Sequence, residues 1–274
     1  MKSFCLLLFL PISLLAKCIN VGLLGEFKST TSRTSYAYGK EIFRGVQVAD
    51  RLMDDACFNF TKIDINNNIA NISDLIKKHH RAGSINYFVG LGTSEQTHAA
   101  VPAVNETGAF LISPTATDDS ILERSKNIIL LSSPNSILAE EVALEAKRRG
   151  IKNIGVIFGK NNSYSKSMAF YFKKACKRHG LSVVFKKAIR IGRNFKVGEI
   201  EKRSLNRAEA IFLPIFEQDV MRVLGFLHTN KINSNIIGSD SWGNSSKLIS
   251  TLPARVKKSI LFSTTPYNTA IQKI

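Results

Sequence analysis

Segments that look like β-strands alternate with segments of helical periodicity along most of the chain, and this alternation constrains the fold more than any other feature. In one helical segment, apolar residues recur at Ile42, Val46, Ala49 and Met53, the spacing of a single helix face. Alternating strands and helices favour parallel sheets that carry helices on both faces. We therefore predict an α/β protein.

The strand candidates fall into two series of similar size. They are residues 19–24, 60–65, 87–91, 110–113 and 127–131, followed by 153–158, 181–188, 210–215, 235–239 and 259–264. A Ser/Pro stretch at residues 132–135 separates the two series. One sheet that held both series would be unusually wide, so we expect two lobes with a hinge at this stretch.

The N-terminus predicts export. Lys2 precedes an apolar run that ends at Ala16, which is the pattern of a secretory signal peptide. The run is shorter than the ~20 residues that a membrane span needs. A lipid anchor at Cys18 is disfavoured, because Lys17 stands where a lipoprotein signal has a small residue. We expect residues 1–16 to be removed.

Three cysteines would remain in the exported chain. Cys18 and Cys57 precede the first two strand candidates, which are expected to be neighbours in one sheet. An oxidising compartment would allow these two thiols to form a disulfide, although the sequence leaves open whether they do. Cys176 falls within a helical pattern and is expected to be a small buried apolar residue.

The chain is strongly basic, with 38 Lys and Arg against 21 Asp and Glu and a formal charge of +17. Such an excess raises nucleic acid and anionic membranes as partners. The basic residues are dispersed, however, and no basic stripe is interleaved with aromatic residues, so we predict no nucleic-acid binding. His79 and His80 have no further His or Cys at ligand spacing, and we predict no metal site.

Hydroxyl side chains follow two neighbouring strand candidates. Thr93 and Ser94 follow the third strand, while Thr115 and Thr117 follow the fourth. Ligands of open α/β sheets bind beyond the carboxyl ends of the strands. Backbone N–H groups at a helix start can also hold a small anion there. We therefore expect a polar cradle that suits a carboxylate.

Neither a nucleotide site nor a catalytic centre is predicted. Gly90 and Gly92 resemble part of a dinucleotide-binding loop, but Glu95 stands at the third glycine position and the segment follows the third strand. The sequence has no G-x-S-x-G motif and no histidine in a plausible triad context. We expect a protein without a cofactor that is not an enzyme.

Six stretches together resemble the type I periplasmic solute-binding proteins, which serve ABC importers of branched-chain and other amino acids. They are INVGLLGEF, SYAYGKEIFRGVQVA, FVGLGTSEQTHAAVP, GAFLISPTATDD, NIGVIFGKNNSYSKSMAFYF and NIIGSDSWGN. The resemblance extends from about Asn20 to Tyr267. It implies two lobes, each a parallel sheet with helices on both faces. Lobe 1 would comprise residues 17–133 and 264–274, and lobe 2 residues 134–263.

The resemblance also implies which residues bind a ligand. In the family, hydroxyls and amides at the strand ends hold the ligand carboxylate, and the matching residues here are Ser94, Thr115 and Thr117. An acidic residue after a lobe-2 strand pairs with the ligand ammonium group, and Asp240 occupies that position. A carboxylate in this otherwise basic chain suits a cationic group.

Aromatic side chains close over the ligand in the same family. Tyr38 and Tyr164 match the family pattern, and Phe216 and Trp242 lie in the same motifs. Phe216 replaces a tyrosine that many members carry, which favours a more apolar ligand side chain.

The function implied is capture of a small amino acid, branched-chain or similar, between two hinged lobes in the periplasm. The partners would be this ligand and the permease subunits of an ABC importer, with membrane contact only through the importer. Family members usually continue further beyond the second crossing between lobes, so the chain resembles a C-terminally shortened member. A ligand-sensing or truncated, non-transporting member of the same fold remains the alternative.

Overall fold

The computed structural model describes residues 18–27, 38–53, 56–83, 85–190, 202–242 and 260–261. These residues form two five-stranded parallel sheets flanked by helices, which confirms the predicted two-lobed α/β architecture. The predicted signal peptide, at residues 1–16, and the predicted return segment, at residues 264–274, lie outside the described residues. No described helix is both long and apolar enough to span a bilayer.

Lobe 1 contains the first sheet, in the strand order β2-β1-β3-β4-β5. A short 3-10 turn at Ile69–Asn71 precedes its second helix. The elements, in chain order, are β1 (Ile19–Gly25), α1 (Tyr38–Leu52), β2 (Phe58–Asp64), α2 (Ile72–Gly83), β3 (Tyr87–Gly90), α3 (Ser94–Thr107), β4 (Phe110–Ser113), α4 (Ser120–Arg124) and β5 (Ile128–Leu130).

Lobe 2 contains the second sheet, in the strand order β10-β9-β8-β6-β7. A 3-10 turn at Asp240–Trp242 follows its ninth strand. The elements are α5 (Asn135–Arg148), β6 (Asn153–Gly159), α6 (Ser163–Arg178), β7 (Ser182–Ile189), α7 (Lys202–Asn206), β8 (Ala210–Phe212), α8 (Glu217–Thr229), β9 (Asn235–Ile237) and β10 (Ile260–Leu261).

Both faces of the lobe-2 sheet are buried. On one face Val156 packs with Phe172 of α6, and on the other Ile211 packs with Val220 and Leu224 of α8. Parallel sheets are normally covered in this way, because their strands are apolar on both faces.

The lobe-1 sheet is covered unequally. Phe88 and Leu111 pack against α2 and α3 in a buried cluster on one face. The opposite face carries Tyr87 and Phe110, which stack with their ring centroids 6.1 Å apart. These two side chains remain 47% and 44% exposed, and Ile129 on the same face is 49% exposed. This face therefore presents apolar surface to solvent.

A disulfide joins Cys18 and Cys57 at the start of β1 and β2, with their Cα atoms 4.5 Å apart. The Ile19 N–H donates to the Cys57 carbonyl at 2.8 Å, so the bond lies next to the first rung of the parallel ladder. Cys176 is fully buried in α6, and burial raises the pKa of its thiol to about 12.

The chain passes from the first sheet to the second between Leu130 and Asn135. Ser132 Oγ donates to the Pro114 carbonyl at 2.8 Å, and the Asn135 N–H donates to the Thr117 carbonyl at 2.7 Å. The Ser136 N–H also donates to Asp119 Oδ2 at 3.1 Å. These bonds attach the crossing to the loop that follows β4.

Candidate ligand-binding site

The first wall of the candidate site is the start of α3. Gly90 ends β3 with φ +145°, and a Cβ atom there would overlap the Leu24 carbonyl oxygen. Leu91 follows in the left-handed region, with φ +67°, and its N–H donates to the same carbonyl at 3.0 Å. This turn, which requires glycine, directs the chain from β3 into the helix.

Thr93 caps α3, and its Oγ1 accepts from the Gln96 N–H at 3.2 Å. Ser94 Oγ accepts from the N–H groups of Thr117 and Asp118, both at 3.3 Å. Ser94 and Thr117 are both buried. The structure therefore brings together Ser94 and Thr117, two of the predicted carboxylate-binding residues.

The other two predicted lobe-1 residues are Thr115 and Tyr38, and no described hydrogen bond joins either of them to Ser94 or Thr117. Thr115 lies in the loop after β4 and is exposed. Tyr38 is the first residue of α1. The following residue, Gly39, approaches Gly25 so closely that a Cβ atom on either glycine would collide with the other backbone segment. This approach places the start of α1 beside the carboxyl end of β1. The binding roles of Tyr38 and Thr115 remain predictions.

The second wall is formed by α6 and the turn after β9. The Tyr164 hydroxyl donates to Asp240 Oδ1 at 2.5 Å. Burial raises the pKa of Asp240, although the hydrogen bond from Tyr164 opposes this shift. Burial and the neighbouring Asp240 carboxylate raise the pKa of the Tyr164 phenol well above its usual value. Ionised Asp240 therefore lies in surroundings that favour a cation beside it.

Phe216 lies beside this pair. Its ring is inclined at 31° to the Tyr164 ring, with the centroids 5.5 Å apart. The structure thus brings three predicted residues together, namely Tyr164, Phe216 and Asp240.

Trp242 is placed differently from the sequence expectation. Its ring is fully buried among lobe-2 core residues, including Ile211 and Val220. The indole Nε1 donates to the Ile215 carbonyl at 3.0 Å. Trp242 is therefore a core residue that supports the turn carrying Asp240, rather than an aromatic side chain that closes over a ligand.

Sequence reasoning missed Glu26, which follows β1 directly. Glu26 is buried, and Gln96 Nε2 donates to its Oε1 at 3.1 Å. Burial, together with nearby Asp64, raises the pKa of Glu26 despite this hydrogen bond. Its position immediately after a buried strand is the signal that could have identified it.

A second polar cluster was also missed. His98 Nδ1 lies 3.1 Å from Arg124 Nη1, which can only donate, so His98 Nε2 carries the ring proton and donates to Asp118 Oδ2 at 2.9 Å. Burial alone would raise the pKa of Asp118, but hydrogen bonds from His98 and Ser120 hold it below its usual value. This cluster fixes the loop that carries Thr117.

The two lobes face one another beside this cluster. Asn162 Nδ2 of lobe 2 donates to Glu95 Oε2 of lobe 1 at 3.4 Å. A cavity of about 830 Å³ lies between α3 and α4 on one side and α6 on the other. Its charged lining residues are Glu95, Asp118, Glu123 and Arg124 of lobe 1 and Lys166 and Lys174 of lobe 2. The cavity is thus acid-rich on the lobe-1 side and basic on the lobe-2 side.

A sequence profile for periplasmic binding proteins matches residues 19–270. The chain belongs to the periplasmic binding protein family. This confirms the type I membership that the sequence stretches suggested. No individually curated protein sequence matches this periplasmic binding protein significantly.

Solved structures share the fold. The branched-chain amino acid binding protein LivJ of Streptococcus pneumoniae, in complex with isoleucine, has 18% identity and a TM-score of 0.69, over 91% of this chain and 73% of LivJ. The leucine-binding protein LivK of Thermotoga maritima has 14% identity and a TM-score of 0.71, over 87% of this chain and 67% of LivK.

A solute-binding protein of an ABC transporter from R. palustris, in complex with 4-hydroxybenzoate, has 19% identity and a TM-score of 0.69. The match covers 82% of this chain and 62% of the R. palustris protein. This periplasmic binding protein therefore spans less than two thirds of that relative's length.

Proposed function

We propose that this periplasmic binding protein captures a small α-amino acid between its lobes and delivers it to the permease subunits of an ABC importer. The pairing of Tyr164 with Asp240 is the observation that carries the proposal. A carboxylate whose burial raises its pKa is stabilised in its ionised form by a cation, and the ligand ammonium group supplies one. Tyr164 holds Asp240 in a fixed orientation for this contact.

The ligand carboxylate would bind across the cleft at the start of α3. Backbone N–H groups in the first helical turn have no partner within the helix, and the helix dipole favours an anion there. Ser94 and Thr117 lie at this point, and the exposed Thr115 follows the neighbouring strand. In our proposal these three residues bind the carboxylate.

The side chain of the ligand would contact Tyr38, Tyr164 and Phe216. Because Phe216 has no hydroxyl group, it favours an apolar side chain such as that of leucine, isoleucine or valine.

An aromatic acid is a less suitable ligand. 4-Hydroxybenzoate, bound by the R. palustris protein, has a carboxylate but no ammonium group. Bound here, it would leave the Asp240 carboxylate without a cationic partner, and an unpaired charge in a partly buried site is costly.

Isothermal titration of the purified chain with leucine, isoleucine, valine and 4-hydroxybenzoate tests the proposal. We expect one-to-one binding of at least one amino acid and none of 4-hydroxybenzoate. Asp240→Asn should lower the affinity by roughly 30-fold or more, since removing one partner of a buried charged pair costs about 2 kcal/mol or more. Exposed Glu141→Gln is the matched control and should bind normally. Binding of the aromatic acid alone would overturn the amino-acid assignment.

Delivery to an importer requires a separate measurement. Uptake of the labelled amino acid by cells with and without the gene distinguishes transport from ligand sensing by the same fold. Tight binding without any effect on uptake would support the sensing role.

A further inference from the structure

The cavity between the lobes has walls of opposite charge. Glu95 and Glu123 line it on the lobe-1 side, while Asp118, the third carboxylate of that wall, is already held by His98. On the lobe-2 side, α6 contributes Lys166 and Lys174. Within the part of the chain that the structure describes, no ion pair joins one wall to the other. The two walls therefore face each other with complementary, unpaired charges.

The partners that these cations have in the structure are weak or neutral. Lys174 Nζ lies 4.4 Å from the centre of the Phe170 ring and 5.9 Å from that of the Tyr171 ring. A contact of this kind contributes little at an exposed site, so Lys174 can exchange it for a carboxylate. Arg124, the cation of the lobe-1 wall, donates to His98 Nδ1. Neither contact prevents an ion pair from forming across the cavity.

One hydrogen bond fixes the order of the residues along the two walls. Asn162 Nδ2 donates to Glu95 Oε2 where α6 and α3 both begin. Lys166 follows one turn further along α6, and Lys174 lies about 18 Å from Asn162 at 1.5 Å per residue. On lobe 1, the bond between His98 and Arg124 places α4 beside the second turn of α3. Glu95 thus faces the first turns of α6, and Glu123 of α4 faces the later ones.

An unpaired hydroxyl group lies in the same wall. Ser163 Oγ, in the first turn of α6, is buried and has no hydrogen-bond partner among the described residues. Leaving such a group without a partner is costly. The preceding residue, Asn162, already contacts Glu95, so a closer approach of lobe 1 would bring a carboxylate oxygen to Ser163. The hydroxyl and the charges both gain partners when the walls come together.

We propose that Lys166 and Lys174 of α6 attract Glu95 and Glu123 across the cavity and so favour closure of the lobes. A small polar interface between domains permits relative motion, and hinge closure narrows the space between the two walls. The attraction between opposite charges grows as their separation falls. These four residues act on the position of the lobes. The proposal rests on the proposed function only in that closure would then retain the amino acid.

The distance across the cavity tests the proposal without any ligand. Spin labels at Leu122→Cys in α4 and Lys173→Cys in α6 report this distance, since both positions are exposed and lie beside the cavity. The labelled chain also carries Cys5→Ser. The remaining cysteines do not take up label, because Cys18 and Cys57 form a disulfide and Cys176 is fully buried.

We expect charge reversal on either wall to lengthen this distance. Lys174→Glu and Glu123→Lys each place like charges opposite one another, which is unfavourable. The swapped pair Lys174→Glu, Glu123→Lys exchanges the two charges and should restore the original distance. A swapped pair that stays as open as the single variants would overturn the proposal, and so would distances that neither reversal changes. Thermal unfolding confirms that each variant is folded.

Matched controls reverse the same charges elsewhere. Lys177→Glu in α6 and Glu141→Lys in α5 alter exposed positions that do not line the cavity. Both should leave the distance unchanged. Equal lengthening in the controls would mean that net charge alone separates the lobes, and this would also overturn the proposal.

Titration with leucine then relates closure to binding. Each single reversal should lower the affinity by roughly threefold to tenfold, and the swapped pair should recover most of this loss. Lys174 lies about 15 Å along the helix from Tyr164, so a loss that the swap restores does not arise from direct contact with the ligand. If no amino acid binds, the proposed function fails, and the distances still decide whether the charged walls favour closure. If amino acids bind while the distances stay unchanged, only the closure proposal fails.

Discussion

The hydroxyl group of Tyr164 donates a hydrogen bond to Asp240 Oδ1 at 2.5 Å, joining the first turn of α6 to the turn after β9. These residues are 76 positions apart in the chain. Because the hydroxyl donates, it stabilises the ionised form of Asp240 and opposes the effect of burial on the pKa of that group.

Tyr164→Phe removes this donor. We expect amino-acid affinity to fall by roughly 10- to 100-fold at neutral pH, since a hydrogen bond to a charged group contributes about 1.5–3 kcal/mol. The pKa of Asp240 should rise further, so the loss of binding on acidification should begin at a higher pH than in the unaltered chain. Titration calorimetry across a pH series measures both effects. Tyr87→Phe, at an exposed tyrosine of β3 that does not line the cavity between the lobes, should bind normally, and equal losses in the two variants would contradict the role given to Tyr164.

Glu26→Gln should stabilise the fold at neutral pH. The pKa of Glu26 is raised in the folded protein, so folding favours the protonated side chain. The stability that the protonated form provides is lost as pH rises through this raised pKa, and at neutral pH the buried ionised carboxylate destabilises the fold. Glutamine keeps an acceptor for Gln96 and carries no charge. We expect a gain of up to about 1 kcal/mol, or roughly 2–4 °C in unfolding temperature, that disappears below the unfolded pKa of glutamate. Glu141→Gln should show no such pH-dependent gain, and a lower stability of Glu26→Gln at neutral pH would refute the argument.

Gly90→Ala should destabilise the protein by about 2 kcal/mol or more. The backbone there has φ +145°, and the added Cβ atom would overlap the Leu24 carbonyl oxygen. Urea unfolding provides the measurement. Gly45→Ala is the contrasting control, because Gly45 lies in α1 with open space around it and should gain about 0.5–1 kcal/mol. Unchanged stability in Gly90→Ala would contradict this prediction, because it would mean that the backbone of the turn shifts enough to accommodate the added Cβ atom.

The double variant Cys18→Ser, Cys57→Ser lacks the disulfide. Its free energy of unfolding should be lower by about 2–4 kcal/mol, because the bond joins residues 39 positions apart in the chain and so restricts the unfolded state. Reductant should lower the stability of the unaltered chain to that of the double variant and leave the variant itself unchanged. A double variant that stays sensitive to reductant would contradict this account. Thiol titration of the unfolded, unreduced protein checks that the bond forms.

Prediction from sequence succeeded where a pattern repeats. Alternation of strands and helices predicts both sheets, because the period of the apolar residues reports which face of each element is buried. Hydroxyl side chains at successive strand ends predict that Ser94 and Thr117 lie close together, as the hydrogen bond between them shows; their binding role stays a prediction. Side-chain direction was harder to predict. Trp242 stands two residues after Asp240, yet one faces the core and the other faces Tyr164, since a single 3-10 turn rotates neighbours to different sides.

Long-range polar pairs could not be predicted at all. The Gln96 amide donates a hydrogen bond to the Glu26 carboxylate, 70 positions away in the chain, and no local sequence pattern in either segment predicts this bond. The bond forms because α3 packs beside the end of β1.

The open apolar face of the lobe-1 sheet, with Tyr87 and Phe110 at its centre, links solubility to ionic strength. At low salt, molecules of this strongly basic chain repel one another over roughly 30 Å, which keeps these rings apart. Near physiological salt the repulsion reaches only about 8 Å, and short-range attraction between exposed rings then decides whether molecules meet. The colloidal stability of the protein is therefore a property of its charge as much as of its fold.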